Sequence, residues 1–385
     1  MARVDDLSRC LVAFDQHSTL VAVVEMSQSS WLVAGLVPGV ARQPLKKLEP
    51  DCEALLRLVM RWRDEAAKAG QAIARMVLAY EAGRDGFWLA RWLRARGVEA
   101  YVIHPTSIPV PRERKRAKTD RLDTAMLMRA VVGWLRGEPK HCSMAAIPTL
   151  EEEDAKRPSR EADTLTAEQT RLVNRMKSAL ARLGIREFKP ELRQAAERLE
   201  RLRTPEGTAF PPNMLAELRR ELERLAVIRA QIKAIRQAKQ QRLAEAPAHG
   251  TAPIVRLLAR IRGLGLDTAD MLTHEVLYRR LRDERAVGRY VGVTGAPDES
   301  GSKRREKGLA KAGNARARKG LVQFAWRFTR FQPDHPLAQW YRARLAAGMR
   351  KTTAIVALAR KLLVMLWRMA QTGEIPEGLA LHPAT

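Results

Sequence analysis

Cysteine is scarce. The 385-residue chain has three, Cys10, Cys52 and Cys142, far apart and in no spacing that suits zinc, and its seven histidines are equally dispersed. A disulfide framework and a structural zinc site are therefore not expected, and a reducing cytosol fits. Aromatic residues make up 5% of the chain, so base-stacking platforms of the kind that hold single-stranded nucleic acid are not the main device. Long apolar runs are missing too. "MARVDDLSR" at the N-terminus lacks the apolar core of a signal peptide. The most apolar C-terminal run, "TTAIVALARKLLVMLWRMA", is broken by Arg360 and Lys361 and reads as a packed helix. A soluble, cytoplasmic protein with no membrane partner is expected. Acids are outnumbered, 43 Asp and Glu against 69 Lys and Arg, a formal net charge of +26. Such an excess opposes compaction unless a polyanion neutralises it, and solubility needs far less. Nucleic acid is the expected partner, and the predominance of arginine suits bidentate phosphate contacts.

Three regions follow along the chain. In residues 1–145, "RCLVAFD", "STLVAVVEM" and "SWLVAGLVPG" read as short strands separated by turn residues. Helical spacing occupies residues 50–70. The strand "ARMVLAYEAG", the helix "DGFWLARWLRARG" and the strand "VEAYVIHP" come next. A meander followed by alternation predicts a mixed α/β layer fold. In residues 146–250 the strand signals vanish. A helix over "TAEQTRLVNRMKSALARLG" is expected to open on a capping box of Thr166 and Gln169 and to end at Gly184. After the break "RTPEGTAFPPN", a second helix runs from Met214 to Leu243. Its apolar seam passes through Leu215, Leu218, Leu222, Leu225, Ile228, Ile232 and Ile235, giving a coiled-coil-like hairpin. That hairpin is a spacer, a dimerisation element or a grip on nucleic acid. Residues 251–385 are mainly helical. "LLARIRGLGLDTADMLTHEV" reads as a helix-hairpin-helix whose turn glycines approach phosphate, or as an ordinary helix pair with a Gly turn.

"RAKTDRLDTAMLMRA" sets two acids, Asp120 and Asp123, beside the basic run "PRERKRAK". On a helix, positions three apart share a face, and hard carboxylate oxygens held that way suit Mg²⁺. By itself such a pair is common in a chain with this many acids. Asp15 closes the apolar run "LVAFD" and Glu81 closes "MVLAYE"; acids that follow buried strands stand at a sheet edge. Asp85 and Glu113 are nearby competitors that follow no strand so directly. Four carboxylates in this arrangement are able to hold two Mg²⁺ ions for phosphodiester chemistry.

Asp15, Glu81 and the "KTDRLD" pair, in that order, resemble the DEDD transposases of bacterial insertion sequences, the insertion sequence 110 family. The stretch "GVTGAPDESGSKRREKGLAKAGN", after the helix-hairpin-helix-like segment, reads as a loop rich in glycine and Lys/Arg, and it resembles the same family's C-terminal motif. The likeness runs along nearly the whole chain. Departures are "FDQHST", without the usual lysine, and "YEAGRDG" in place of an acid-Thr-Gly step. The resemblance implies an RNase H-like (RuvC-like) domain over residues 1–145, a coiled-coil middle over 146–250 and a transposase domain over 251–385. It implies a bacterial, nucleoid-associated recombinase that cuts and rejoins donor and target double-stranded DNA, guided by a structured non-coding bridge RNA. It further implies a metal tetrad of Asp15, Glu81, Asp120 and Asp123, with Ser300 of the "SG" step as nucleophile and Ser302 as the fallback. Lys303, Arg304, Arg305 and Lys311 flank that serine to neutralise a phosphate, and Arg114, Lys115, Arg116 and Lys118 form a phosphate-gathering rim beside the acids. Serine and tetrad lie in different regions, so a dimer or tetramer with composite sites is implied. A hydrolytic nuclease such as a Holliday-junction resolvase needs the tetrad but not Ser300. A non-catalytic nucleic-acid-binding protein needs neither, and a DNA invertase of the same family shares every feature.

Overall fold

A computed structural model describes residues 8, 10, 12–108, 120–138, 141–300, 303–309 and 313–383. The chain divides into two compact units. One comprises residues 1–149, 279–292 and 310–313, the other 150–278, 293–309 and 314–385.

The first unit is a mixed α/β layer. Strands β1 (Thr19–Met26), β2 (Trp31–Leu36) and β3 (Leu45–Leu48) form an antiparallel meander. Helix α1 (Cys52–Lys68) leads to β4 (Arg75–Glu81), α2 (Trp88–Arg94) to β5 (Glu99–Ile103), and α3 (Asp120–Leu135) to the two-residue β6 (Met144–Ala145). The sheet order is β3-β2-β1-β4-β5-β6. β4 runs parallel to β1, and β5 parallel to β4. The centre of the sheet is buried on both faces, which is why "LVAVV" and "VLAY" are unbroken apolar runs. Asp51 caps α1 by accepting the Glu53 N–H at 2.8 Å; Leu55, Val59 and Trp62 of that helix then pack on one face of the sheet.

Gly35 of β2 lies against Trp62, so closely that a Cβ there would come within 2.7 Å of the indole. Trp62 is fully buried and has no empty space to retreat into. Gly35→Ala is expected to cost about 1–3 kcal/mol by overpacking, read as a lowered melting temperature. An unchanged melt would show that Trp62 yields freely.

The first expected strand, "RCLVAFD", is absent: among the described residues no strand precedes Thr19. β3 and β6 were not expected. β3 reads LKKL and is mostly exposed at the sheet edge, where lysines protect an open edge.

The second unit is mainly helical. α4 (Leu150–Asp154) precedes the long α5 (Arg157–Ala181), and α6 (Ala195–Arg201) the longer α7 (Pro212–Glu245). α5 begins nine residues before Thr166, with Pro158 in its first turn. Thr166 is no cap: its hydroxyl donates to the Ala162 carbonyl at 2.7 Å inside the helix. Gly184 takes a positive φ of 75° and ends the helix, with the Ile185 N–H returning to the Leu180 carbonyl.

α5 and α7 lie antiparallel, since Arg175 meets Glu221 while Ser159 meets Lys239. The buried positions of α7 include Leu218, Leu225, Ile232 and Lys239, a seven-residue repeat. Charges in such a seam fix its register. Arg175 supplies Glu221 with a bond of 2.8 Å.

α8 (Ala252–Ala259) and α9 (Leu266–Leu272) flank the Gly-Leu-Gly turn, and one π turn (Thr273–Leu277) extends α9. Short α10 (Glu284–Val291) belongs to the first unit. The hairpin β7 (Gly295–Ser300) and β8 (Lys303–Leu309) follows, then α11 (Ala315–Phe331), α12 (Pro336–Ala346) and α13 (Lys351–Thr372). α13 is the expected packed helix, with Leu358, Leu362, Leu363 and Leu366 fully buried. Among the described residues no helix is long and apolar enough to cross a membrane. The middle helices and the C-terminal segment share one unit, joined by the pairs Arg160–Glu275 and Lys239–Asp267.

Candidate active site

Parity along the parallel strands decides which acids meet. β1 and β4 pair Val21 with Val77, Val23 with Ala79 and Val24 with Tyr80. Val21, Val23, Val77 and Ala79 are buried against Leu127, Val131 and Trp134 of α3. Leu20, Ala22, Val24, Leu78 and Tyr80 are buried on the other face, with α1 and α2. Side chains alternate along a strand. The next odd positions, Glu25 and Glu81, therefore stand side by side on the α3 face, at the carboxyl ends of adjacent strands. Asp123 precedes Leu127 by one helical turn, on the stripe of α3 that faces the sheet.

These three acids line one cavity of about 470 Å³, together with Asp85, Arg84 and Gln28. Glu25 and Asp123 are half-buried and Glu81 is exposed. The crevice outside the carboxyl ends of strands is where open α/β sheets bind ligands. The hard oxygens of these carboxylates are the donor type that suits Mg²⁺. Among the described residues no three of Asp, Glu, His or Cys stand close enough to share one ion. Asp120 is the first residue of α3, three before Asp123.

Asp15 is elsewhere. It precedes β1 in a turn, where the His17 N–H donates to it at 3.0 Å and the Ser18 hydroxyl at 2.5 Å. These bonds, the Ser18 hydroxyl foremost, hold its carboxyl below the usual range. The Ser18 carbonyl accepts from Ala74 and Arg75 at the amino end of β4, so Asp15 and Glu81 mark opposite ends of the sheet. The eight residues of β1 lie between, roughly 25 Å at about 3.3 Å each. The expectation that Asp15 closes a strand is corrected: Glu25 does. The sequence carries the same local pattern at both places, since "LVAVVE" and "LVAFD" each close an apolar run with an acid just as "MVLAYE" does.

Ser300 is the last residue of β7, paired with Lys303 across the hairpin. Lys303, Arg304 and Arg305 open β8. Where a loop was expected there is a two-stranded ribbon. It belongs to the helical unit, whereas the acids belong to the sheet unit. Arg114, Lys115, Arg116, Lys118, Glu113, Ser302 and Lys311 lie outside the described residues.

A basic chain with carboxylates gathered at the end of a sheet has the attributes of an enzyme acting on a polyanion. Comparison with known proteins is more specific. Residues 255–340 match the model of the transposase IS116/IS110/IS902 family. Two proteins of Sinorhizobium fredii (strain NBRC 101917 / NGR234), named "Putative transposase" y4rJ and y4qE, are similar along most of the chain. The first is 38% identical over 371 residues, 93% of each chain. The second is 26% identical over 318 residues, 76% of this chain and 74% of its own. The chain belongs to the IS116/IS110/IS902 transposase family, enzymes that cut and rejoin DNA.

Proposed function

We propose that this transposase cuts DNA with Ser300 as nucleophile, assisted by a carboxylate site of Glu25, Glu81, Asp120 and Asp123 that holds Mg²⁺, two ions when filled. The supporting observation is the meeting of Glu25, Glu81 and Asp123 around one cavity at the carboxyl ends of β1 and β4. The mixed sheet with helices on both faces supports an RNase H-like reading of this unit. Bound Mg²⁺ supplies charge stabilisation to the attacking and leaving oxygens. Ser300 Oγ forms a bond to phosphorus as the bond to the departing sugar oxygen breaks, and the hydroxyl proton leaves with that oxygen. The phosphodiester survives as a serine ester, so rejoining needs no energy cofactor. Lys303, Arg304 and Arg305 offset charge on the reacting phosphate. The net charge of +26 supports a polyanionic partner, and the resemblance to the family alone adds a structured bridge RNA that selects donor and target. Acids and serine in separate units support homo-oligomeric assembly with composite sites.

The test is a denaturing gel with end-labelled donor and target DNA, Mg²⁺ and the RNA of the element. Wild type is expected to give a protease-sensitive protein–DNA adduct that Ser300→Ala abolishes. Cleavage without an adduct, surviving Ser300→Ala, would establish a hydrolytic nuclease instead. An adduct lost only in Ser302→Ala moves the nucleophile by two residues, and the orientation of rejoined products separates inversion from transposition.

A further inference from the structure

Beyond the serine hairpin, α11 opens beside a buried carboxylate. Glu275, in the π turn after α9, is 3% exposed. Arg160 of α5 donates to both its oxygens, at 3.0 and 3.2 Å. Arg316 of α11 adds a bond of 3.0 Å, and the Asn314 amide donates at 2.9 Å. Burial alone would raise the Glu275 pKa, yet Arg160, with Asn314 and Arg316, holds it below the usual range.

Asn314 also caps α11, its side-chain oxygen accepting the N–H groups of Arg316 and Ala317 at 3.1 and 3.0 Å. Capping does not require asparagine, since Asp and Ser serve about as well. What the amide adds is accepting and donating at once. It ties the first turn of α11 to the π turn, five residues beyond the end of β8. π turns are rare and occur often at functional sites. β8 in turn fixes β7, in a register that sets Ser300 opposite Lys303.

We propose that Asn314 and Glu275 are positioning residues for Ser300, their shared hydrogen bond setting where β8 leaves the hairpin and hence how the serine-bearing strand is presented. This rests on Ser300 being the nucleophile. The residues act through the ribbon and touch no substrate.

Asn314→Ser keeps a cap and loses the tether. In the full-length protein with its RNA, adduct formation at saturating DNA is expected to slow about 10- to 100-fold, the scale of a small misplacement of a reacting group. DNA affinity and melting temperature should stay near wild type. Amide hydrogen exchange should quicken in residues 295–309 while α11 keeps its protection. Asn314→Asp also caps, but sets a second carboxylate against Glu275. Facing that pair are Arg160 from α5 and Arg316 from α11, the latter also bound to Asp163, with Asp270 and His274 on the same helix as Glu275. A proton shared between the two carboxyls restores a donor, so the Asn314→Asp rate relative to wild type should rise as pH falls. The Asn314→Ser ratio should not. Wild-type rate and hairpin exchange in Asn314→Ser would overturn the proposal, and so would loss of α11 protection, which reduces Asn314 to a cap. Full activity of Ser300→Ala would instead overturn the nucleophile assignment, while hydrogen exchange would still judge the tether.

Discussion

Glu25→Gln is expected to lower strand cleavage by about 10³-fold or more, while Asp15→Asn stays within a few-fold of wild type. Residues acting as one unit cost nearly the whole effect singly, so Glu81→Gln and Asp123→Asn should match Glu25→Gln, and double variants should be no worse. The contrast follows from position. Glu25 shares a cavity with Glu81 and Asp123, and the β1–β4 register sets it beside Glu81. Asp15 is exposed at the other end of the sheet, engaged with its own turn. Removing a carboxylate near a phosphate also removes a repulsion, so Glu25→Gln should bind DNA at least as well as wild type. Its cleavage defect should be partly relieved by raised Mg²⁺, because one ligand is missing and the others remain. Single-turnover cleavage measured across a Mg²⁺ series checks all three statements. Inactive Asp15→Asn with active Glu25→Gln would return the first ligand to Asp15 and remove the sheet-end site.

The contrast also shows what was legible in the sequence. β1, β2, β4 and β5 were readable because the sheet centre is buried on both faces and leaves largely apolar runs. The helices α1, α2 and α7 were readable from their spacing. The first acid was not, because "LVAFD" and "LVAVVEM" present the same local pattern and only pairing with β4 separates them. That information lies in residues 75–81, far along the chain. α5 was read as starting too late, since Thr166 with Gln169 imitates a cap while Thr166 bonds inside the helix. Lys239 was missed as a member of the α7 seam because a lysine is not expected inside. Its partners come from α5 and α9, and no inspection of α7 alone reveals them. The serine hairpin read as a loop because its strands are charged and glycine-rich, lacking the apolar alternation that marks a half-buried strand.

Lys239 carries the second large effect. It is 8% exposed and reaches Asp270 at 2.9 Å, Asp267 at 3.1 Å and the Ser159 hydroxyl at 3.2 Å. Asp270 is itself largely buried, with His274 at 3.4 Å. Burial would raise the Asp270 pKa, but His274 and Lys239 together lower it to about 2 from 3.8. A depressed carboxylate stabilises the fold above its unfolded pKa and loses that contribution as pH falls through the folded one. For Asp270 the contribution is about 2 kcal/mol, present at neutral pH and lost between roughly pH 5 and pH 2. Lys239→Met removes the cation and leaves Asp270 with the Ser159 hydroxyl at 2.8 Å and His274, a cost at the lower end of the roughly 3–5 kcal/mol of a broken buried pair. In a unit of this size that lowers the melting temperature by roughly 2–4 °C per kcal/mol. The gap between wild type and Lys239→Met should be widest near neutral pH. It should narrow as the solution is acidified, because a protonated Asp270 no longer needs the missing cation. Adding Asp270→Leu should recover much of the loss, since an apolar pair replaces a broken ionic one. Thermal melts of the three proteins from pH 7 to pH 4 decide the matter. A gap that does not change with pH would mean that lost packing of the lysine stem, not the stranded charge, sets the cost.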